Sequence, residues 1–210
     1  MKSNLLPISE EGLKTVAISA AIAALLSLLD FEFLAFIVFC ATLFFIYIFR
    51  NPERVLPSFD KGSVTAPSDG TVKSIEELND SEYAYKIVIE SDYLDVAVLR
   101  APLDVTVESV ILYKGTRVSK KSKLFSDMNE YATLVFLDES GNKCKVVHQL
   151  KKSCTPLFLS LIKKQNLRQS LRYGFMLNGI TTLYLPSNFR LNVNIGNELK
   201  ASESLMGYFS

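Results

Sequence analysis

Two apolar stretches separated by an acidic triplet constrain this chain more than any other feature. Residues 15–29 contain only Ala, Val, Ile, Leu, Ser and Thr, and residues 33–49 are apolar apart from Thr42 and the Tyr47 hydroxyl. Between them stands Asp30-Phe31-Glu32. One helix through the whole length would bury two carboxylates near mid-membrane, at a cost of about 2.5–3.5 kcal/mol for an Asp alone. Two helices, over about 14–30 and 33–49, avoid that cost by meeting at the triplet. Each is short against the roughly 20 residues that cross a hydrocarbon core, and a thinned bilayer absorbs the difference. The sequence therefore predicts a transmembrane helical hairpin over 1–49. Lys14 precedes the first apolar run, Arg50 and Arg54 follow the second, and the turn between them has no basic residue. The positive-inside bias then puts both termini in the cytoplasm, across the inner (cytoplasmic) membrane if the chain is bacterial. A re-entrant hairpin is the alternative. A cleavable signal fits less well, because the first apolar run leads into a second one rather than a small-residue cleavage site.

Past Arg50 the hydrophobic period shortens. Runs rich in Val, Ile, Tyr and Thr recur over 70–75, 83–90, 96–99, 106–113, 131–137, 145–149, 181–185 and 190–195, with turn residues such as Pro67-Ser68-Asp69-Gly70 between them. Closely spaced strands broken by turns predict a mainly β domain over 50–210, a β-sandwich or barrel-sandwich. One short helix is expected after Thr155-Pro156, an N-cap followed by proline at N1 and then Leu157, Leu159, Leu161 and Ile162.

The whole chain is nearly neutral, at +1, but its charge is sorted. Residues 1–49 carry two lysines and four carboxylates, leaving a net +3 on residues 50–210. From Lys143 to Arg190 there are nine Lys or Arg and no acid. Lys151, Lys152, Lys163, Lys164, Arg168 and Arg172 are therefore candidate contacts for anionic lipid headgroups, each worth about 1 kcal/mol near such a surface. The competing reading is a solvated face neutralised by acids from elsewhere in the fold. Nucleic acid is not expected, since no aromatic-interleaved basic motif accompanies the charge. Cys40, Cys144 and Cys154 form no C-x-x-C pair, and a single histidine, His148, rules out a multi-histidine metal site within one chain. His148 lies in an alternating run, Lys145-Val146-Val147-His148-Gln149, and reads as structural rather than as a base.

The order of short motifs resembles one family. Phe49-Arg50-Asn51-Pro52-Glu53-Arg54 after a helical hairpin resembles the F-F-R-[DN]-P-x-R signature of short phosphatidylserine decarboxylases. Ala66-Pro67-Ser68-Asp69-Gly70-Thr71-Val72 is similar to that family's [SA]-P-A-D-G-x-V, and Arg100-Ala101-Pro102-Leu103-Asp104 matches part of its N-R-x-P-x-D-G. Asn129-Glu130, Arg172-Tyr173-Gly174-Phe175-Met176, Tyr184-Leu185-Pro186 and the closing Gly196–Leu205 segment resemble further family blocks, in family order.

The resemblance implies a protein of phosphatidylethanolamine biosynthesis that binds membrane phospholipid, phosphatidylserine being the lipid it points to, with a phospholipid-synthesis enzyme as the implied partner. It also implies a pyruvoyl cofactor, made when the chain cuts itself before a serine with an Asp/His acid–base pair. Asp69 stands at the family aspartate. Ala97 stands where the family histidine would be, and Gly179, Ile180 and Thr181 occupy the self-cleavage position, where no serine lies between Ser170 and Ser187. The expectation is thus a family member in which the pyruvoyl group does not form and activity is weak or absent. Two alternatives stand beside it. One is an active decarboxylase with atypical processing, in which Thr181 would yield a 2-oxobutanoyl group. The other is a non-enzymatic biotinyl/lipoyl-like binding module, although no lysine-bearing carrier hairpin occurs.

Overall fold

The computed structural model describes residues 6–210 except 56, 58, 61 and 81. The chain divides into two compact units, the first ending at Glu53 and the second running from Arg54 to Ser210.

The first unit is a helical hairpin of α1 (Glu10–Leu28) and α2 (Glu32–Ile48). α1 starts four residues before the expected position because Ser9 is extended and Glu10 and Glu11 fill the first turn, where the helix dipole favours carboxylates. At its other end Asp30 adopts φ +61, and the Phe31 N–H reaches back to the Leu26 carbonyl at 3.0 Å. That is a Schellman closure with an aspartate in the left-handed position. The acidic triplet thus makes the turn, as its polarity requires. Ser9 N donates to the Phe49 carbonyl and Asn51 N to the Pro7 carbonyl, tying the hairpin's ends together. Ser19 and Thr42 return their hydroxyls to the Val16 and Val38 carbonyls, so neither presents an unmet polar group. α1 is long and apolar enough to cross a membrane, whereas α2 is apolar but shorter.

The second unit is mainly β. In chain order it comprises β1 (Ser63–Thr65), β2 (Gly70–Glu77), β3 (Tyr85–Glu90), β4 (Val98–Arg100), β5 (Val105–Tyr113), a one-turn helix α3 (Phe125–Met128), β6 (Tyr131–Leu137) and β7 (Lys143–Leu150). There follow β8 (Phe158–Leu159), β9 (Asn166–Leu167), β10 (Arg172–Phe175), β11 (Gly179–Leu185), β12 (Phe189–Leu191), β13 (Glu198–Leu199) and β14 (Leu205–Phe209). An eight-stranded antiparallel sheet has the order β13-β2-β3-β11-β7-β6-β5-β9. Two three-stranded sheets, β1-β14-β12 and β4-β10-β8, complete a sandwich-like arrangement.

Strict alternation on β6 and β7 sends Ala132, Leu134, Phe136, Cys144 and Val146 inward. They join Ile87, Ile89, Leu183 and Leu185 in one core, capped by Leu99, Tyr173 and Met206 from the smaller sheets. Each fully buried Leu, Ile or Phe there contributes about 1.5–3 kcal/mol.

The helix expected after Thr155-Pro156 is absent from that place. Leu157 is buried, Phe158 is exposed, and Phe158–Leu159 pairs with Gly174–Phe175 of β10. The pairing is possible because Gly174 has no Cβ: one would come 2.6 Å from the Phe158 carbonyl oxygen. Among the described residues of this unit, the one short helix lies instead at Phe125–Met128. The strand expected over 190–195 shortens to β12, after which Asn192 N still bonds the Met206 carbonyl.

Candidate functional site

Asp69 occupies the turn that enters β2. Gly70 has φ +144, and a Cβ there would approach the Glu90 carbonyl oxygen to 2.5 Å, so glycine alone lets the turn close on β3. Ser91, just past β3, donates its hydroxyl to the Asp69 carbonyl at 2.5 Å and its N–H to the Gly179 carbonyl at 2.9 Å. Met176 N donates to the Ala97 carbonyl at 2.7 Å. The turn at Asp69, the segment at Ala97 and the segment 176–181 therefore meet at one end of the sheet.

The Asp69 carboxylate is fully engaged. Its Oδ2 lies 2.7 Å from Arg54 Nη2, and its Oδ1 accepts the Ala201 N–H at 2.8 Å. Arg54 also meets Glu203 at 3.0 Å. Three sequence motifs far apart in the chain, those of Arg54, Asp69 and Ala201-Ser202-Glu203, so converge on one ion-paired cluster. Burial lifts the Asp69 carboxyl above its ordinary value, while the Ala201 amide and the Arg54 guanidinium pull it back.

Beside this cluster lies a buried polar chain that crosses the sheet. Ser68 Oγ donates to Thr181 Oγ1 at 3.1 Å, Thr181 Oγ1 lies 2.9 Å from His148 Nδ1, and His148 Nε2 lies 2.6 Å from the Tyr173 hydroxyl. Thr181 and His148 are direct partners across β11 and β7, and both are fully buried. With Ser68 donating to Thr181, the threonine proton can go to Nδ1, leaving Nε2–H for the Tyr173 oxygen. Burial pushes the imidazole down to about 3 and the Tyr173 hydroxyl up beyond its ordinary range. His148 is thus neutral and bonded at both nitrogens. Sequence reasoning treated His148 and Thr181 separately, because the β7–β11 register that joins them is a long-range property. The available signal was weak: a lone histidine in an alternating strand, with a threonine in another.

Ile180 sits between Glu90 and Gln149 in the same ladder and is largely buried. Strand alternation turns it away from the face that carries Thr181. A serine-derived pyruvoyl group does not fit these residues: the side chains at 179, 180 and 181 are hydrogen, sec-butyl and a threonine hydroxyl, and Ala97 offers no base.

The six basic candidates separate into two groups. Lys151 is 8% exposed, and its ammonium lies 2.9 Å from both Glu90 and Asp92. It is withdrawn from any headgroup surface, because acids from β3 and the turn beyond it neutralise it. Arg172 is half-buried directly across from Arg100. Lys152, Lys163, Lys164 and Arg168 are exposed. Lys163 and Lys164 share a tight turn with exposed Ile162, closed by Gln165 N donating to the Ile162 carbonyl at 3.1 Å.

Comparison with known proteins agrees with the motif order. Residues 41–207 match the family described as phosphatidylserine decarboxylase. The chain is 29% identical over 206 residues to the phosphatidylserine decarboxylase proenzyme of Desulfotalea psychrophila, covering 96% of each. It is 32% identical to the protein of that name from Geobacter sp. strain M21, covering 99% of each. Against the Burkholderia pseudomallei proenzyme the identity is 26%, over 95% of this chain and 94% of that one.

Proposed function

The chain belongs to the phosphatidylserine decarboxylase family, a pyruvoyl-dependent family of phospholipid biosynthesis, and from that premise we propose that it is an uncut, lipid-binding member without the pyruvoyl group. The observation that carries this reading is the side-chain inventory where Asp69, Ala97 and 179–181 meet. Cutting needs a hydroxyl at the cleavage position, a base with a pKa near the working pH, and a free acid. Ile180 has no oxygen. Ala97 has no titratable group, and Asp69 is held by Arg54 and Ala201. The intact mass of purified protein tests this directly. One species at 23.5 kDa is the expected result.

One observation favours the rival reading. The Thr181 hydroxyl lies 2.9 Å from His148, so a nucleophile and a nitrogen base are in hydrogen-bond reach. Against it, an imidazole held near 3 is a poor proton acceptor at neutral pH. A C-terminal piece starting at position 181 with a carbonyl-bearing, hydrazide-reactive N-terminus would establish the rival and overturn the uncut reading.

The reading includes membrane attachment through α1 and α2, with residues 50–210 in the cytoplasm. It rests on Lys14 near the start of α1, Arg50 and Arg54 after the end of α2, and Asp30 and Glu32 where the two helices meet. A C-terminal reporter active only in the cytoplasm should be functional, and one active only outside it should be silent; the reverse pattern contradicts the orientation. The lipid-binding role, in which the chain presents phospholipid to a phospholipid-synthesis enzyme or holds it for one, rests on exposed Lys152, Lys163, Lys164 and Arg168. Charge reversal at Lys163 and Lys164 should weaken binding of residues 50–210 to anionic vesicles several-fold at low salt. Unchanged binding would remove these lysines from the surface.

A further inference from the structure

β5 and β6 are joined by residues 114–130, far more than the roughly 2–5 residues of a usual β-hairpin connection. The base of this connection is fixed. Thr116 and Asn129 form an isolated bridge, and the buried Asn129 side chain bonds the backbone N–H and carbonyl of Val118 and the Leu150 carbonyl. Further out, Gln149 donates to the Phe125 carbonyl at 3.1 Å, and Lys120 lies 3.0 Å from Glu90. Gln149 and Glu90 flank Ile180 in the ladder, and Leu150 faces Gly179, so the connection is anchored at the sheet end that holds the candidate site. None of residues 119–128 is buried, so the core does not account for the extra length.

From Lys114 to Met128 five basic residues stand against one acid, Asp127. Glu130 draws Arg117 to 3.9 Å, and Glu90 takes Lys120. Lys114, Lys121 and Lys123 are exposed and have no carboxylate partner among the described residues. Leu124 and Met128 are 52% and 43% exposed, and the Met128 N–H bonds the Leu124 carbonyl at 3.0 Å, which puts both side chains on one face of α3. Aliphatic side chains held in water beside unpaired lysines are the composition of an interfacial membrane segment. A polynucleotide surface would call for exposed rings to stack on, and the ring at this tip, Phe125, is half-buried. Antiparallel pairing through β3, β11, β7, β6 and β5 brings the ends of β3, β5 and β7 to one side. The turn after β3 adds Leu94, 59% exposed, and the end of β7 adds exposed Lys152, whose carbonyl accepts the Tyr93 hydroxyl at 2.6 Å. The chain also enters the β unit here, since Arg54, its first residue, is held by Asp69 just before β2.

We propose that the tip of the β5–β6 connection docks on an anionic bilayer surface, with Leu124 and Met128 entering among the headgroups and Lys121 and Lys123 beside them. Each basic residue near such a surface raises binding about five-fold. The proposal deepens the lipid-binding reading and rests on it, but places a contact elsewhere on the unit. Lys164 N bonds the Val107 carbonyl near the start of β5, and Tyr113 lies roughly 20 Å further along that strand. The Lys163–Lys164 turn and this tip are therefore separable in one experiment.

Fluorescence quenching on the full chain in vesicles tests the docking. Exposed Cys40 and Cys154 are removed as Cys40→Ala and Cys154→Ser, while buried Cys144 stays. Leu124→Cys and, separately, Ile162→Cys then carry a thiol-reactive fluorophore, and a nitroxide at a shallow acyl position of the lipid is the quencher. In vesicles containing phosphatidylglycerol the label at position 124 should be quenched several-fold more than in phosphatidylcholine alone. Salt near 1 M, where the Debye length is about 3 Å, should remove most of that difference. Lys121→Glu with Lys123→Glu should do the same in a chain whose circular dichroism is unchanged. A label at 124 that stays in water in anionic vesicles overturns the proposal. Quenching at 162 in that case leaves the lipid-binding reading standing, whereas quenching at neither position removes both. Protection of position 124 by an added polynucleotide or acidic protein, without quenching by lipid, gives the tip to that partner and also overturns the proposal.

Discussion

Replacing Arg54 with alanine is expected to destabilise the β unit by about 3–5 kcal/mol, the range for removing one partner of a buried ion pair. Arg54 and Asp69 side chains are 7% and 10% exposed, and the guanidinium lies between Asp69 and Glu203. Without it the Asp69 carboxylate keeps only the Ala201 N–H while surrounded by low-dielectric protein. The pair is not an efficient source of stability in itself, because Arg54 Nε is buried without an acceptor. Removing both charges with a volume-conserving pair, Arg54→Met with Asp69→Leu, should therefore cost much less than either single change. A double-mutant cycle on urea midpoints in mild detergent measures the difference. A loss below about 1 kcal/mol for Arg54→Ala would put the pair among surface salt bridges and refute this account. The cycle also bears on function. If Asp69 is committed to Arg54, its place at the family aspartate is explained by architecture without any proton transfer.

The parts of this fold that were legible in the sequence are those whose signal is local. β6 and β7 alternate so regularly that Tyr131–Leu137 and Lys143–Leu150 follow from the period of two alone. The helical hairpin follows from the uninterrupted apolar runs, and its turn from the carboxylates between them. Of the elements only two to four residues long, β4 was legible in the run over 96–99, but β8, β9 and β13 were not. β8 exists because Gly174 lets the Phe158 carbonyl approach, a tertiary fact to which the helix-like start Thr155-Pro156 gives no clue. β13 and β14 bring Ala201 and Glu203 to Asp69 by the same kind of long-range pairing. The site divides in the same way. Motif order was enough to mark Asp69, Ala97 and 179–181, and the structure gathers them through Ser91 and Met176. The placement of His148 against Thr181 was not legible, because it depends on which strands neighbour β11. The basic run misled at Lys151, since counting charge along a sequence cannot reveal Glu90 and Asp92 folding over it.

Stability should fall as the pH is lowered from 7 to 5, and His148 should account for that slope. The chain has one histidine, so one imidazole titrates in this window. Unfolded, it takes up a proton near 6.5; folded, burial holds it down to about 3. Between those values the unfolded chain binds a proton that the folded chain refuses, so stability rises with pH and is lost as pH falls below 6.5. At about 1.36 kcal/mol per pH unit the loss is roughly 2 kcal/mol at pH 5, and it approaches 5 kcal/mol near pH 3. The Asp69 carboxyl, lifted by burial, acts in the opposite sense, its folded form gaining stability as pH falls through the carboxylate range. Glu90 loses solvent on folding, yet Lys151 and Lys120 hold it below 4.5, so its contribution is lost only as pH drops past that value. Comparison with a variant that lacks the imidazole separates its share of the slope from theirs. His148→Gln keeps an amide that can bond Thr181 or Tyr173 but cannot titrate. Its unfolding midpoint should be nearly flat from pH 7 to 5, whatever its absolute stability. The single histidine resonance of the folded wild type should likewise not shift across that range. Equal pH slopes in the two proteins, or a resonance that titrates near 6.5, would mean that His148 is solvated. A solvated imidazole beside the Thr181 hydroxyl would be a competent base, so the same titration that supports a purely structural histidine would, if it failed, reopen self-cleavage at Thr181.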